Sequence, residues 1–254
     1  LMLPKAHTGY LNYLDALFTS VSAVCVTGLV VVDTATSYTL LGKIIIICLI
    51  QTGGLGIMTF TGFFGYIFAS SGSSFRNKLL LKEIFSSESL NNLFKLITKI
   101  ILFTFLTEII GAALIYASLD FPFKGKAFFS LFHSVSAFCN AGFSTLPAGL
   151  NTPGINNNPA LLITVAMLII LGGIGFPVLV GFYSSVKQML VAFIKRIRNN
   201  RMPVKPGTRD IPTRIVIFTT VILIFAGTLF YYLFEPGTGM TGQRLLKSFF
   251  GSVS

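Results

Sequence analysis

The stretch Leu17-Phe18-Thr19-Ser20-Val21-Ser22-Ala23-Val24-Cys25-Val26-Thr27-Gly28 returns 114 residues later as Leu131-Phe132-His133-Ser134-Val135-Ser136-Ala137-Phe138-Cys139-Asn140-Ala141-Gly142. Eight of the twelve paired positions are identical. A third, partial copy closes the sequence, because Phe250, Ser252, Val253 and Ser254 match Phe18, Ser20, Val21 and Ser22. Internal repetition of this kind determines the architecture before any single motif does.

The composition around these copies is that of a membrane protein. Hydrophobic residues make up 53% of the chain and charged residues only 11%, against roughly 25% charged residues in soluble domains. Four apolar runs, at residues 40–68, 93–119, 159–183 and 213–234, reach the roughly 20 residues that a spanning helix needs. We therefore expect an all-α membrane protein. Residues 1–9 lack the hydrophobic region of a signal peptide, so no cleavable leader is expected.

Two further apolar segments, at residues 11–24 and 125–138, are each 14 residues long, which is too short to cross a bilayer. Both lead directly into the repeated Cys-x-x-Gly. Irregular backbone at membrane depth is tolerated where it lines a water-filled cavity. The pattern predicts a repeated unit made of a span, a re-entrant pore helix, a filter loop and a second span.

The net charge of +11 is concentrated in residues 70–99 and 183–214. The positive-inside bias places both segments on the cytoplasmic side of the cell membrane and both filter loops on the extracellular side. This distribution explains the charge without a nucleic-acid partner. The basic segment 187–214 is also suited to contact anionic membrane lipid or a cytoplasmic partner.

The expected organisation follows from the repeats and the charged connections. It comprises a first repeat without its outer span at 1–68, a cytoplasmic loop at 69–92, a second repeat at 93–183, a basic cytoplasmic loop at 184–212, and the span and pore helix of a third repeat at 213–254.

A filter of this kind suits cations. A ring of backbone carbonyls can replace the hydration shell of an ion, glycine allows a positive φ at little cost, and a helix C-terminus carries about half a negative charge. We predict a transported cation, with Ser22 and Ser136, aided by Thr27 and Asn140, supporting the filter from behind. The predicted ion-binding carbonyls belong to Cys25, Val26, Thr27, Gly28, Cys139, Asn140, Ala141 and Gly142.

Three stretches carry a family resemblance: Ala23-Val24-Cys25-Val26-Thr27-Gly28-Leu29, Gln51-Thr52-Gly53-Gly54-Leu55-Gly56-Ile57-Met58 and Ala137-Phe138-Cys139-Asn140-Ala141-Gly142-Phe143-Ser144. They resemble the Ktr/Trk/HKT superfamily of potassium and sodium transporters, and most closely its KtrB-type membrane subunits. The resemblance implies four repeats around one pseudo-fourfold central pore, of which this sequence would hold half. It also implies a homodimer, a nucleotide-binding cytoplasmic regulatory ring of the KtrA type, and no organic cofactor in this chain. Because a serine at the first filter glycine accompanies sodium permeation in that family, Gly28 fits the potassium-selective pattern. The resemblance therefore implies K⁺ as the transported ion, bound at the filter carbonyls.

Three other functions stay open at this point. The first is a transporter permeable to both Na⁺ and K⁺, and the second is a non-conducting scaffold subunit. The third is an intramembrane enzyme, which would need paired carboxylates or a nucleophile with a base at membrane depth. Glu108 alone does not supply such a site, and we expect no enzymatic activity.

The remaining polar and special residues have simpler interpretations. Glu108, inside a predicted span, is expected to pair with a neighbouring polar helix group, and His133 to be packed or hydrogen-bonded. Cys25, Cys48 and Cys139 have no metal-ligand or disulfide spacing. Gly53-Gly54-Leu55-Gly56 and Gly172-Gly173-Ile174-Gly175 indicate close helix packing rather than a nucleotide site.

Overall fold

The computed structural model of the protein describes the backbone of residues 1–70, 90–119, 125–174, 211–234 and 241–254, and the side chains of 1–56, 98–119, 125–174, 215–234 and 242–254. This part of the chain is helical, with a single backbone bridge between His7 and Tyr38 in place of a sheet. The helices are α1 (Tyr13–Val24), α2 (Thr34–Ser37), α3 (Leu40–Ser70), α4 (Leu90–Ser118), α5 (Lys126–Phe138), a 3₁₀ turn (Gly149–Asn151), α6 (Pro159–Ile174), α7 (Ile211–Phe234) and α8 (Thr241–Val253).

Two of the described segments, Thr98–Ser118 in α4 and Ile215–Phe234 in α7, are long and apolar enough to cross a membrane. Helix α3 runs for 31 residues, which at about 1.5 Å per residue exceeds the thickness of the hydrocarbon core. The predicted span at 159–183 begins as α6, and its part beyond residue 174 lies outside the described residues. Apart from Leu119, which follows the end of α4, the apolar runs predicted as spans are thus helical wherever they are described.

The chain divides into two compact units, Leu1–Ile170 and Leu171–Ser254. Within the first unit, α1 packs against α3 and α5 packs against α4, while α3 also contacts α4 and α5. The buried core between them includes Ala23, Ile50, Phe132 and Ala141. Helix α3 therefore brings the two short helices, and the loops that follow them, into one core.

The two short helices have different surroundings. Along α5, every residue from Phe132 to Phe138 is buried, because α4 covers this helix. Along α1, the side chains of Tyr13, Leu14 and Val21 are more than half exposed. No helix in the described ranges covers that face of α1, so its apolar side chains are left open.

The segment before α1 is hydrogen-bonded to the chain from the end of α2 to the start of α3. The amide of Thr8 donates to the Ser37 carbonyl at 2.9 Å, and the amide of Thr39 donates to the Ala6 carbonyl at 3.1 Å. Asp33 caps α2 by accepting from the Ala35 amide at 2.9 Å. These bonds fix the path from the first repeated element to the start of α3.

One helix pair recurs in the second unit. The Ser252 hydroxyl of α8 donates to the Ile224 carbonyl of α7 at 3.0 Å, and the Ser134 hydroxyl of α5 donates to the Glu108 carbonyl of α4 at 2.7 Å. In each pair a glycine lies one turn further along the longer helix, Gly227 in α7 and Gly111 in α4. A Cβ added to either glycine would clash with the hydroxyl oxygen of the serine in its pair. The two serines are matched residues of the sequence repeat, so the contact repeats together with the sequence.

Candidate ion-binding site

The first loop, residues 25–28, leaves α1 through a tight helix-ending turn. Cys25 keeps a helical conformation, with φ −77° and ψ −3°, and Val26 then takes a left-handed φ of 56°. The Val26 amide donates to the Ala23 carbonyl at 3.3 Å, and the Thr27 amide donates to the Ser22 carbonyl at 3.0 Å. This pair of bonds is a Schellman motif, which satisfies the last carbonyls of a helix and fixes the direction of the chain beyond it.

The second loop, residues 139–142, leaves α5 through the same turn. Cys139 has φ −75° and ψ −5°, and Asn140 has φ 58°. The Asn140 amide donates to the Ala137 carbonyl at 3.0 Å, and the Ala141 amide donates to the Ser136 carbonyl at 2.7 Å. Each bond joins the residues that match those of the first loop, so the repeated sequence forms a repeated backbone turn.

Val26 is the residue of this turn that sequence reasoning missed. A β-branched side chain in the left-handed region is an outlier, and left-handed backbone costs an L-residue about 1–2 kcal/mol. Asn140 at the matched position was the available signal, because asparagine tolerates this conformation better than most residues do. The first loop therefore holds a strained residue that the second loop avoids.

The predicted positive φ at the two loop glycines is confirmed, at 75° for Gly28 and 70° for Gly142. Each loop thus contains two left-handed residues separated by one other residue. The carbonyl oxygens of Cys25, Val26, Thr27 and Gly28 accept no hydrogen bond from the described part of the chain. An unpaired backbone carbonyl needs water or another electropositive partner.

A serine closes each loop from the side of its helix. The Ser22 hydroxyl donates to the Leu29 carbonyl at 2.7 Å and accepts from the Thr27 hydroxyl at 2.9 Å. The Ser136 hydroxyl donates to the Phe143 carbonyl at 2.8 Å. Leu29 and Phe143 each follow a loop glycine, so each serine ties the two ends of its loop together. The role of these serines in an ion filter stays a prediction.

The two loops meet at their glycines. A Cβ added to Gly28 would lie 2.5 Å from the Ala141 carbonyl oxygen and 3.5 Å from the Gly142 Cα. A Cβ added to Gly142 would lie 3.7 Å from the Gly28 Cα. The Gly28 backbone of the first loop therefore lies beside the Ala141 carbonyl and the Gly142 backbone of the second, although the two copies are 114 residues apart.

Helix α3 holds both loops through its paired glycines. A Cβ on Gly53 would overlap the Val24 carbonyl at the end of α1, and a Cβ on Gly54 would lie 2.6 Å from the Cys139 sulfur. The prediction of close packing is confirmed for Gly53 and Gly54, whereas a Cβ added to Gly56 would meet no atom of the described residues within 4 Å. The matching motif ends at Gly175, which lies outside the described residues.

The interpretation of Glu108 as paired with polar helix groups is also confirmed. Its side chain is 2% exposed, and its carboxyl oxygens lie 3.1 Å from Gln51 Nε2 and 3.9 Å from Cys139 Sγ. Sequence reasoning could not identify either partner, because Gln51 is 57 residues away and on another helix.

His133 is buried and hydrogen-bonded through both ring nitrogens, as predicted. Nδ1 lies 2.9 Å from the Phe129 carbonyl, and Nε2 lies 2.9 Å from the Ser144 hydroxyl. Because a carbonyl only accepts, Nδ1 carries the hydrogen and Nε2 accepts from Ser144. The side chain thereby connects α5 to the segment beyond the second loop.

Among the described residues, no cluster of His, Cys, Asp or Glu could hold a metal ion.

The sequence profile of the TrkH family, described as "Cation transport protein", matches residues 2–235. Among similar proteins, the Ktr system potassium uptake protein B of Vibrio alginolyticus is 35% identical over 262 aligned positions, which cover 100% of this chain and 53% of that protein. The protein of the same name from Bacillus subtilis is 39% identical, over 70% of this chain and 40% of its own length.

A third relative, the potassium/sodium uptake protein NtpJ of Enterococcus hirae, is 32% identical over 96% of this chain and 51% of its own length. The chain spans about half the length of the curated relatives that it matches, with shares of 53%, 40% and 51%.

Proposed function

Because the chain belongs to the TrkH family of cation transport proteins, we propose that it forms part of a membrane subunit that conducts K⁺ through a carbonyl-lined filter. The first and second loops supply the oxygens, from residues 25–28 and 139–142. A permeating ion exchanges hydration water for these carbonyls. The observation that carries the proposal is the approach of Gly28 to Gly142, with a Cβ on Gly28 only 3.5 Å from the Gly142 Cα.

The electrostatics of the two turns favour a cation. Each loop follows the C-terminus of a short helix, which carries about half a negative charge. The unpaired carbonyls of the first loop add further electronegative atoms, and no basic side chain lies in either loop. An anion placed there would meet these electronegative oxygens with no basic side chain of either loop to offset them.

The larger architecture extends this proposal. We infer repeats of span, pore helix, filter loop and span around a pseudo-fourfold pore, in the divisions given by the sequence. The recurrence of the α4–α5 contact in the α7–α8 pair supports a third repeat beginning at residue 213. The loops face the extracellular side and the basic segments face the cytoplasm, as the distribution of Lys and Arg indicates.

The partners proposed for the subunit are membrane lipid, a second copy of itself, and a nucleotide-binding cytoplasmic ring. The names of the two Ktr relatives support the last of these in general terms, because both belong to a Ktr system. The basic segment at 184–212 is a candidate contact for that ring.

Permeability to Na⁺ as well as K⁺ is the second candidate, because one relative is named a potassium/sodium uptake protein. Ion flux into liposomes that carry the full-length subunit separates the two. We expect wild-type protein to prefer K⁺ over Na⁺ and Gly28→Ser to admit Na⁺. Equal wild-type fluxes of the two ions would favour the second candidate, and no cation flux at all would refute both.

A further inference from the structure

We propose that Glu108 is a positioning residue for the second loop, acting through Cys139, the first residue of that loop. This inference rests on the proposed function, since it concerns the shape of the same filter. It gives a role in ion selectivity to a carboxyl group that contacts no loop carbonyl in the described part of the chain.

The contacts of Glu108 join three elements behind the filter. One carboxyl oxygen accepts from Gln51 Nε2 of α3 at 3.1 Å. The other accepts from the Cys139 thiol at 3.9 Å, a distance suited to the larger sulfur atom. With 2% of its surface exposed, the side chain has little room to move, so it can hold Cys139 in one orientation.

Gly54 leaves open the space that the Cys139 side chain occupies. A Cβ on Gly54 would lie 2.6 Å from the Cys139 sulfur and 3.1 Å from its Cβ, so the thiol fills the space left by the missing side chain. Glu108 then closes the remaining side. Cys139 is the residue at which α5 ends and the second loop begins, and a shift of its side chain would move the carbonyls that follow.

Packing of α4 on α5 does not require a carboxyl group. In the corresponding α7–α8 pair the carbonyl that accepts from Ser252 belongs to Ile224, whereas in α4–α5 the carbonyl that accepts from Ser134 belongs to Glu108. An apolar residue thus occupies the same place in an otherwise matching contact. A buried polar group is costly unless it is hydrogen-bonded, so its presence in α4 calls for a role specific to the second repeat.

Gln51 makes a sharp test possible. Its Oε1 is buried and has no hydrogen-bond partner in the described structure, so the amide can turn over and present that oxygen instead of Nε2. In Glu108→Gln the new amide nitrogen would then donate to Gln51, and the new amide oxygen would accept from Cys139. This variant keeps both contacts and changes only the carboxyl group to an amide, whereas Glu108→Leu removes both contacts.

The experiment measures K⁺ and Na⁺ flux into liposomes carrying the full-length subunit. We expect Glu108→Leu to lower the K⁺/Na⁺ preference about tenfold, the size of a typical coupling between residues in contact. Cys139→Ala should produce a change of similar size, and the double variant should be no worse than either single one. Glu108→Gln should stay within about twofold of wild type. Ser134→Ala, which loses only the bond to the Glu108 backbone, is the matched control and should keep the wild-type preference.

Each outcome has a definite meaning. Additive effects of the Glu108 and Cys139 substitutions would overturn the inference, as would a Glu108→Gln variant that is as impaired as Glu108→Leu, because the carboxyl group itself, and not its two contacts, would then be what matters. If Glu108→Leu fails to fold, Cys139→Ala decides alone, and an unchanged K⁺/Na⁺ preference there refutes the positioning role. If the wild-type protein and all these variants conduct K⁺ with the same selectivity, this inference is refuted and the proposed function is unaffected.

Discussion

Gly28 and Gly142 lie against each other without side chains between them, so that a Cβ on either one would fall 3.5 Å or 3.7 Å from the Cα of the other. The approach is not symmetric in its consequences. A Cβ on Gly28 would also come within 2.5 Å of the Ala141 carbonyl oxygen, whereas a Cβ on Gly142 would meet no other atom of the described residues within 4 Å. Gly28 is therefore the position at which a substitution displaces a candidate ion ligand of the other loop.

Substitution of Gly28 should alter ion preference more than substitution of Gly142. Gly28→Ala combines strain at a positive φ with displacement of the Ala141 carbonyl, and we expect a loss of K⁺ over Na⁺ preference in liposome flux. Gly142→Ala brings only the strain, about 1–2 kcal/mol, and should change the preference less. Since the Cβ rather than a hydroxyl makes the clash, Gly28→Ala and Gly28→Ser should behave alike.

Gly9 provides the matched control for backbone strain alone, because it has φ +77° and, in the described part of the chain, nothing within 4 Å of an added Cβ. Gly9→Ala should lower thermal stability slightly and leave ion preference unchanged. If Gly142→Ala lost as much of the K⁺ over Na⁺ preference as Gly28→Ala, the predicted asymmetry between the two positions would be contradicted.

Removal of the serine hydroxyls should loosen the loops. Ser22→Ala and Ser136→Ala each abolish a bond to the carbonyl beyond the loop glycine, with a net cost of about 0.5–1.5 kcal/mol. We expect weaker discrimination between K⁺ and Na⁺ and faster hydrogen exchange of the loop amides. The hydroxyls of Ser20 and Ser130 donate to carbonyls within their own helices, at 2.7 Å and 2.8 Å.

Ser20→Ala and Ser130→Ala are thus controls for loss of a hydroxyl in the same helices. Neither should change ion preference or the exchange of the loop amides. If Ser130→Ala and Ser136→Ala had equal effects, the tie across the second loop would have no special importance.

The paired glycines of α3 predict a graded series. Gly53→Ala places a Cβ on the Val24 backbone, which cannot move without shifting α1, so we expect a marked loss of thermal stability in detergent. Gly54→Ala meets the side chain of Cys139, and Cys139→Ala should partly rescue its stability. At Gly56 no atom of the described residues lies within 4 Å of an added Cβ, and alanine there should stabilise the helix by about 1 kcal/mol. Failure of the Cys139→Ala rescue would show that the Gly54 contact is not with the thiol.

The local features of the site could be predicted from the sequence because each depends on residues close together in the chain. The short helices, their ends at the repeated Cys-x-x-Gly, and the positive φ of Gly28 and Gly142 all follow from the spacing of apolar residues and from the freedom of glycine. The comparison of two copies strengthened these predictions, since an offset of 114 residues aligns every one of them.

The contacts between distant elements could not be predicted in the same way. The pairing of Glu108 with Gln51 depends on how α3 and α4 pack, and neither residue belongs to a periodic pattern that would indicate the other. The approach of Gly28 to Gly142 likewise depends on α3, which holds both loops. Val26 escaped prediction for a different reason, because its intrinsic preference opposes the left-handed backbone that the end of α1 imposes on it.

The most direct test of the proposed filter is anomalous diffraction from crystals of the full-length subunit grown with Rb⁺ in place of K⁺. We expect a peak within coordination distance of the carbonyl oxygens of residues 25–28 and 139–142, and weakening of that peak in Gly28→Ser. Rb⁺ bound elsewhere in the membrane region, with no peak beside Gly28 and Gly142, would contradict the claim that these two loops form an ion filter.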